Sequence, residues 1–166
     1  MTVWKHIEDA IKTRIVMLDG AMGTMLQKQK LEEDDFRGER FADWDSPLQG
    51  NNDLLNLTRP EDMKAIHTRY IDSGADMVET NTFSATTIAQ ADYSMSHLAA
   101  EIASTGARLA REAADTAAAR LGRPIGVLGA IGPTNKTLSL SPKVTDPGYR
   151  DVTFDDVRIA YTEQIE

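Results

Sequence analysis

Three short apolar runs in the sequence each end in residues that could bind a ligand. Asp19 and Gly20 follow residues 15–18, and Glu79 lies near the end of residues 77–80. The polar residues and glycines that come after the second and third runs are Asn81, Thr82, Gly129, Gly132, Thr134 and Asn135. Because the carboxyl ends of parallel strands build the active site in α/β folds, the pattern predicts one polar rim made by three strands.

The side chains of this predicted rim allow more than one interpretation. Asp19 either caps a short helix that follows it or binds a ligand, and the sequence favours neither role. Glu79 lies within an apolar strand, where an unpaired charge is costly, so a ligand ammonium group or an internal arginine should pair with it. Asn81 and Thr82 could instead be ordinary turn residues.

The sequence predicts neither a phosphate site nor a metal site in this chain. Residues 20–24 (GAMGT) lack the third glycine of a dinucleotide fingerprint and the lysine of a P-loop. The absence of cysteine excludes disulfides, a cysteine nucleophile and thiolate metal ligands. His6, His67 and His97 are far apart and are interpreted as structural or surface residues. We therefore expect no metal ligand and no catalytic residue here.

The elements that must position the rim alternate between strands and helices. The three apolar runs, residues 15–18, 77–80 and 125–128, suit strands that are buried on both faces. Helices are predicted over the first dozen residues, from a capping box at Thr58 to Gly74, over about residues 96–120, and from a capping box at Thr153. The apolar face of the last helix should consist of Phe154, Val157, Tyr161 and Ile165.

Strands that are joined by long helical crossovers run parallel, in an open sheet or a closed (β/α)8 barrel. A complete barrel needs about 250 residues, so the pattern alone favours a small open sheet. The last helix has no stop signal before Glu166, which suggests truncation. Residues 31–52 form a long segment without periodicity, in which three aromatic residues predict packing against the rest of the chain.

Four sequence motifs together resemble the homocysteine S-methyltransferase family. They are LDGAMGTML (residues 18–26), NDLLNLTRPE (52–61), GADMVETNTF (74–83) and GAIGPTNK (129–136). Their order and spacing agree with the family from about residue 14 to residue 166. Alanine and methionine after Asp19 and Gly20 make the chain more similar to the cobalamin-dependent methionine synthase branch than to the betaine-dependent branch.

The resemblance implies a (β/α)8 barrel of the TIM type that binds homocysteine as a zinc thiolate at the carboxyl ends of its strands. The thiolate attacks a methyl group carried on cobalamin and gives methionine, and methyltetrahydrofolate later remethylates the cobalt. Carried onto this chain, Asp19 and Gly20 should hold the amino and carboxylate groups of homocysteine. Glu79, Asn81 and Thr82 are further candidates for the same pocket.

This chain departs from the family in one respect. The family's zinc ligands are cysteines on later strands, and this chain has no cysteine. We therefore expect residues 1–166 to be the first three βα units of a truncated barrel domain, inactive alone and binding neither zinc nor cobalamin. Folate-binding, cobalamin-binding and activation modules would follow in the parent enzyme, and the isolated chain could self-associate. The alternative is a non-catalytic α/β binding or assembly module.

The composition and net charge limit which other partners the chain can bind. A formal net charge of -8 disfavours nucleic acid and anionic membranes, because both repel an acidic surface. No apolar run approaches the length of a membrane span, and residues 1–6 lack a signal-peptide core. A cytoplasmic location is the simplest expectation.

Overall fold

The computed structural model describes residues 2–166, which form eight α-helices and two strands. The α-helices are α1 (Val3–Ile11), α2 (Met22–Gln27), α3 (Glu33–Arg37), α4 (Leu55–Thr58), α5 (Pro60–Asp72), α6 (Thr87–Gln90), α7 (Ala99–Leu121) and α8 (Phe154–Ile165). The strands are β1 (Met77–Glu79) and β2 (Gly126–Leu128), and short 3₁₀ turns cover Asn52–Leu54, Ala91–Tyr93 and Ser96–Leu98. No helix within residues 2–166 is long and apolar enough to cross a membrane.

The sheet is small and parallel. β1 pairs with β2 in a register that places Val78 opposite Val127. The predicted strand at residues 15–18 is reduced to one parallel bridge between Leu18 and Met77. It was also predicted to be buried, and this is wrong, because Ile15 is 80% exposed and Met17 is 54% exposed. The parallel α/β class is confirmed, but the described residues contain two strands rather than three.

Helix α7 is the central packing element. Its alanine-rich face, which includes Ala110, Ala114 and Ala117, packs with Val78 and Ile125 of the sheet region in one apolar cluster. Small side chains on this face let the helix lie close to the strands. Helix α5 packs against α7, and its buried face contains Met63, Ile66, His67 and Ile71. Tyr70 is half-buried at the edge of this face.

The segment of residues 31–52 folds onto the larger apolar cluster, as its aromatic residues predicted. Phe36 and Phe41 are buried in this cluster, and Trp44 packs against it. The sequence did not predict α3, which begins at a capping box formed by Glu32 and Asp35. Arg37 then secures the loop by donating hydrogen bonds to the carbonyl oxygens of Trp44 and Ser46, among others.

Two predictions at helix ends need correction. Thr58 does not cap α5, because it is the last residue of α4, and its hydroxyl makes no hydrogen bond within residues 2–166. The capping box at Thr153 is confirmed, with Asp156 as its second member. The apolar face predicted for α8 is wrong, because Phe154 is 70% exposed and only Ala160 of this helix is buried.

Candidate functional site

A cavity of about 600 Å³ lies at the carboxyl ends of the parallel segments. Residues that follow the Leu18 bridge and both strands line it, as the strand-end pattern predicted. The cavity is within the size range of sites for small ligands. Of the five residues predicted to bind substrate, four line this cavity: Asp19, Gly20, Glu79 and Asn81.

Asp19 is fixed across the gap between the first segment and β1. Its backbone N–H donates to the carbonyl oxygen of Met77 at 3.0 Å, and its Oδ1 accepts from the N–H of Glu79 at 3.0 Å. Helix α2 has Ala21 at its N-cap and no side-chain cap, so Asp19 does not fill the capping role. Burial, together with the negative charge of Glu79, raises the pKa of Asp19 to about 6, although the N–H of Glu79 opposes this.

Gly20 lies close to the ring of Tyr70. A Cβ atom at Gly20 would lie 3.1 Å from the Tyr70 ring. The Tyr70 hydroxyl donates to the carbonyl oxygen of Ala21 at 3.1 Å, so the ring is fixed over this turn. An added Cβ at position 20 would require the ring to shift by a few tenths of an ångström.

Glu79 is exposed at the end of β1, whereas Val78 is fully buried. The prediction that Glu79 is an interior charge in need of a partner is therefore wrong, because water solvates its carboxylate. Its side chain makes no ion pair within residues 2–166, and it still lines the cavity. In this exposed position Glu79 adds negative charge to the site.

Asn81 is buried and much of its hydrogen-bonding capacity is used inside the protein. Its Nδ2 donates to the Asn52 carbonyl oxygen at 2.9 Å and to Asn56 Oδ1 at 3.1 Å. Asn56 Nδ2 in turn donates to the Asn81 carbonyl oxygen at 2.7 Å. These bonds tie the end of β1 to the residues that precede α5.

Thr82 does not belong to the cavity lining. Its hydroxyl donates to the Ala130 carbonyl oxygen at 2.9 Å and lies 2.6 Å from the Thr80 hydroxyl, which accepts from the Ala130 N–H. These bonds join the ends of the two strands. Gly106 of α7 lies against this junction, since a Cβ there would be 2.7 Å from Thr82 Cγ2. A ligand-binding role for Thr82 therefore stays a prediction.

Asp53 is a cavity residue that the sequence analysis did not single out. It is only 4% exposed, and its Oδ2 accepts from the Ser84 N–H at 2.5 Å. Burial raises the pKa of Asp53 to about 6. The available signal was an aspartate directly before the apolar pair Leu54 and Leu55, where a charge is costly unless it is used.

The cavity carries a negative electrostatic field. Asp19, Asp53, Glu79 and Asp92 line it, and no lysine or arginine of residues 2–166 does. Such a field favours a ligand with a cationic group. A zinc ion does not fit, because the sequence has no cysteine, and within residues 2–166 no three His, Asp or Glu side chains are grouped to hold a metal.

The sequence model of one protein family, described as homocysteine S-methyltransferase, matches residues 16–166. Two solved structures of the homocysteine methyltransferase MmuM from Escherichia coli are similar in fold. The oxidised form has a TM-score of 0.61 at 22% identity, over 80% of this chain and 41% of that chain. The metallated form has a TM-score of 0.67 at 18% identity, over 96% of this chain and 51% of that chain. The chain thus spans about half the length of these relatives.

Proposed function

The chain belongs to the homocysteine S-methyltransferase family, and from this premise we propose that it forms part of the homocysteine-binding module of a cobalamin-dependent methionine synthase. In this proposal residues 1–166 contribute the first βα units of a (β/α)8 barrel. The whole protein transfers a methyl group to the sulfur of homocysteine and gives methionine. Alanine and methionine after Asp19 and Gly20 support this branch of the family.

The observation that carries the proposal is the acidic cavity at the strand ends. Homocysteine is an amino acid, and its ammonium group is the cationic group that such a cavity selects. Asp19 is the best placed carboxylate among the predicted residues, because the Glu79 N–H fixes one of its oxygens and its other oxygen is left for a ligand. A fixed acceptor loses little freedom when a ligand binds.

The remaining predicted residues shape the site around Asp19. Gly20 admits the Tyr70 ring, whose hydroxyl donates to the carbonyl oxygen of Ala21 in the turn after Asp19. Glu79 adds charge from the solvent side. Asn81 and Thr82 hold the strand ends in place, so that the distance between the walls is set by internal hydrogen bonds.

Zinc and cobalamin enter the proposal only for the whole protein. The residues of this chain do not fit a thiolate zinc site, because the sequence contains no cysteine. No step of the reaction is therefore assigned to this chain beyond binding and orienting the amino-acid end of homocysteine. The folate-binding, cobalamin-binding and activation modules are likewise part of the proposal for the whole protein.

The proposal can be tested with L-methionine, which shares its amino-acid end with homocysteine and needs no metal to bind. We expect titration of the ¹⁵N-labelled chain to shift the amide signals of Gly20 and Glu79 in a saturable way. Asp19→Asn should weaken this binding by about tenfold, the usual effect of losing a hydrogen bond between charged groups. Asp115→Asn is the matched control, because Asp115 lies on α7 outside the cavity and pairs with Arg111.

A different outcome would favour a non-catalytic binding or assembly module. The exposed side chains of Ile15 and Met17 beside the sheet are the observation that supports this alternative. If L-methionine causes no saturable shift at the cavity, the homocysteine-binding role is wrong, and association through the edge at residues 15–18 would then support the assembly role.

A further inference from the structure

Asp53 combines deep burial with an incompletely used carboxylate. Asp53 is only 4% exposed, yet it lines the acidic cavity. Oδ2 accepts the Ser84 N–H, whereas Oδ1 makes no hydrogen bond within residues 2–166. Because Asp53 lines the cavity, this second oxygen is accessible to a ligand.

The position of Asp53 is fixed by a buried amide pair behind it. Asn51 Nδ2 donates to Gln90 Oε1 at 2.8 Å, and Gln90 Nε2 donates back to Asn51 Oδ1 at 3.1 Å. Gln90 Nε2 also donates to the Ser84 carbonyl oxygen at 3.1 Å. Ser84 is thereby held on both its backbone groups, and the carboxylate that it binds has little freedom to turn away from the cavity.

We propose that Asp53 is a second binding residue for the ammonium group of the amino-acid substrate, acting through its free Oδ1. This inference rests on the proposed function, since it assumes that the cavity binds an amino acid. An ammonium group has three N–H donors, and a fixed carboxylate is its strongest acceptor. The cationic ligand also compensates the buried negative charge, which no lysine or arginine lining the cavity does.

The competing role is structural, in which Asp53 only anchors the Ser84 N–H. Asp53→Asn separates the two roles, because an amide oxygen can still accept that N–H while the negative charge is lost. Asp115→Asn is the matched control, since Asp115 is exposed on α7, lies outside the cavity and pairs with Arg111.

The test measures binding of three ligands to the 166-residue chain by ¹⁵N NMR titration. L-methionine carries both charged groups, 3-(methylthio)propylamine only the ammonium group, and 4-(methylthio)butanoate only the carboxylate. We expect Asp53→Asn to weaken the two ammonium ligands by about tenfold or more and not to weaken 4-(methylthio)butanoate. Asp115→Asn should weaken each ligand by less than about twofold, because an exposed carboxylate outside the cavity is screened.

Equal loss for all three ligands, or loss for none, would overturn the proposal. If Asp53→Asn unfolds, the ¹³C signal of the Asp53 carboxyl in the wild-type chain decides the matter. A nearby ammonium group stabilises the ionised carboxylate, so 3-(methylthio)propylamine should lower the pKa of Asp53 from about 6 and 4-(methylthio)butanoate should not lower it. An unchanged pKa with the bound amine would refute the contact.

Failure of this inference differs from failure of the proposed function. If L-methionine binds and depends on Asp19 but not on Asp53, the homocysteine-binding role stands and only the second contact is wrong. If none of the three ligands binds at the cavity, the proposed function and this inference both fail.

Discussion

His67 should make the stability of the protein fall in acid. Its side chain is fully buried in α5, and neither ring nitrogen has a hydrogen-bond partner within residues 2–166. Burial lowers the pKa of His67 to about 4 from 6.5. The folded-state pKa of His67 lies below its unfolded-state pKa. The contribution of His67 to stability is therefore present above pH 6.5 and is lost as the pH falls towards 4. The difference corresponds to about 3 kcal/mol of the free energy of unfolding.

Asp53 should act in the opposite direction over nearly the same interval. Its folded-state pKa is raised from 3.8 to about 6, so its contribution is present below pH 3.8 and is lost as the pH rises through 6. This change also amounts to about 3 kcal/mol. The two groups should largely cancel between pH 4 and 6, so removal of either one should reveal the other.

The assay is urea unfolding, followed by circular dichroism, of the wild-type chain, His67→Leu and Asp53→Asn between pH 4 and 7. Differences from the wild type remove the contributions of groups that all three proteins share. His67→Leu should gain about 3 kcal/mol relative to the wild type between pH 7 and pH 4, and Asp53→Asn should lose a similar amount. A difference for His67→Leu that stays constant over this range would show that the buried imidazole titrates normally.

Three further predictions concern activity and assembly. The chain of 166 residues should show no methyl transfer from methylcobalamin to homocysteine with or without added zinc, because it has no thiolate ligands; zinc-dependent methionine formation in a direct product assay would contradict this. In the longer protein that we propose, Asp19→Ala should raise the KM for homocysteine and leave the zinc content unchanged, and loss of zinc without a change in KM would show that the assignment is wrong. The isolated chain should self-associate through its exposed sheet edges, and a monomer mass that does not depend on concentration in light scattering would refute this.

The position of the cavity was predicted from the rule that the carboxyl ends of parallel strands form the binding site. Asp19 and Glu79 are separated by 60 residues, yet a direct hydrogen bond joins them. The sequence could show this because apolar runs followed by polar residues are a local pattern with a known three-dimensional consequence. The helices at α1, α5 and α7 were predictable for the same reason, since their apolar spacing is local.

Burial was harder to predict, because it depends on what covers each surface. Residues 15–18 have the composition of a buried strand, but no described element covers Ile15, which stays 80% exposed. The side chain of Glu79 follows the buried Val78 and therefore points to the opposite side of the strand, where solvent reaches it. The hydrogen bond that orients the buried Asp53 comes from Ser84, which is 31 positions away in the chain.

The residues that remain available to a ligand are determined by which hydrogen bonds the fold has already used. The hydroxyl of Thr82 and the amide nitrogen of Asn81 join parts of the rim. Asp19 and Asp53 each give one carboxylate oxygen to a backbone N–H and keep the other. Since one bond orients each carboxylate and the other oxygen is unused, the rim is better suited to a group with several donors than to an acceptor. An ammonium group has this property, which is why the geometry supports recognition of the amino end of an amino acid.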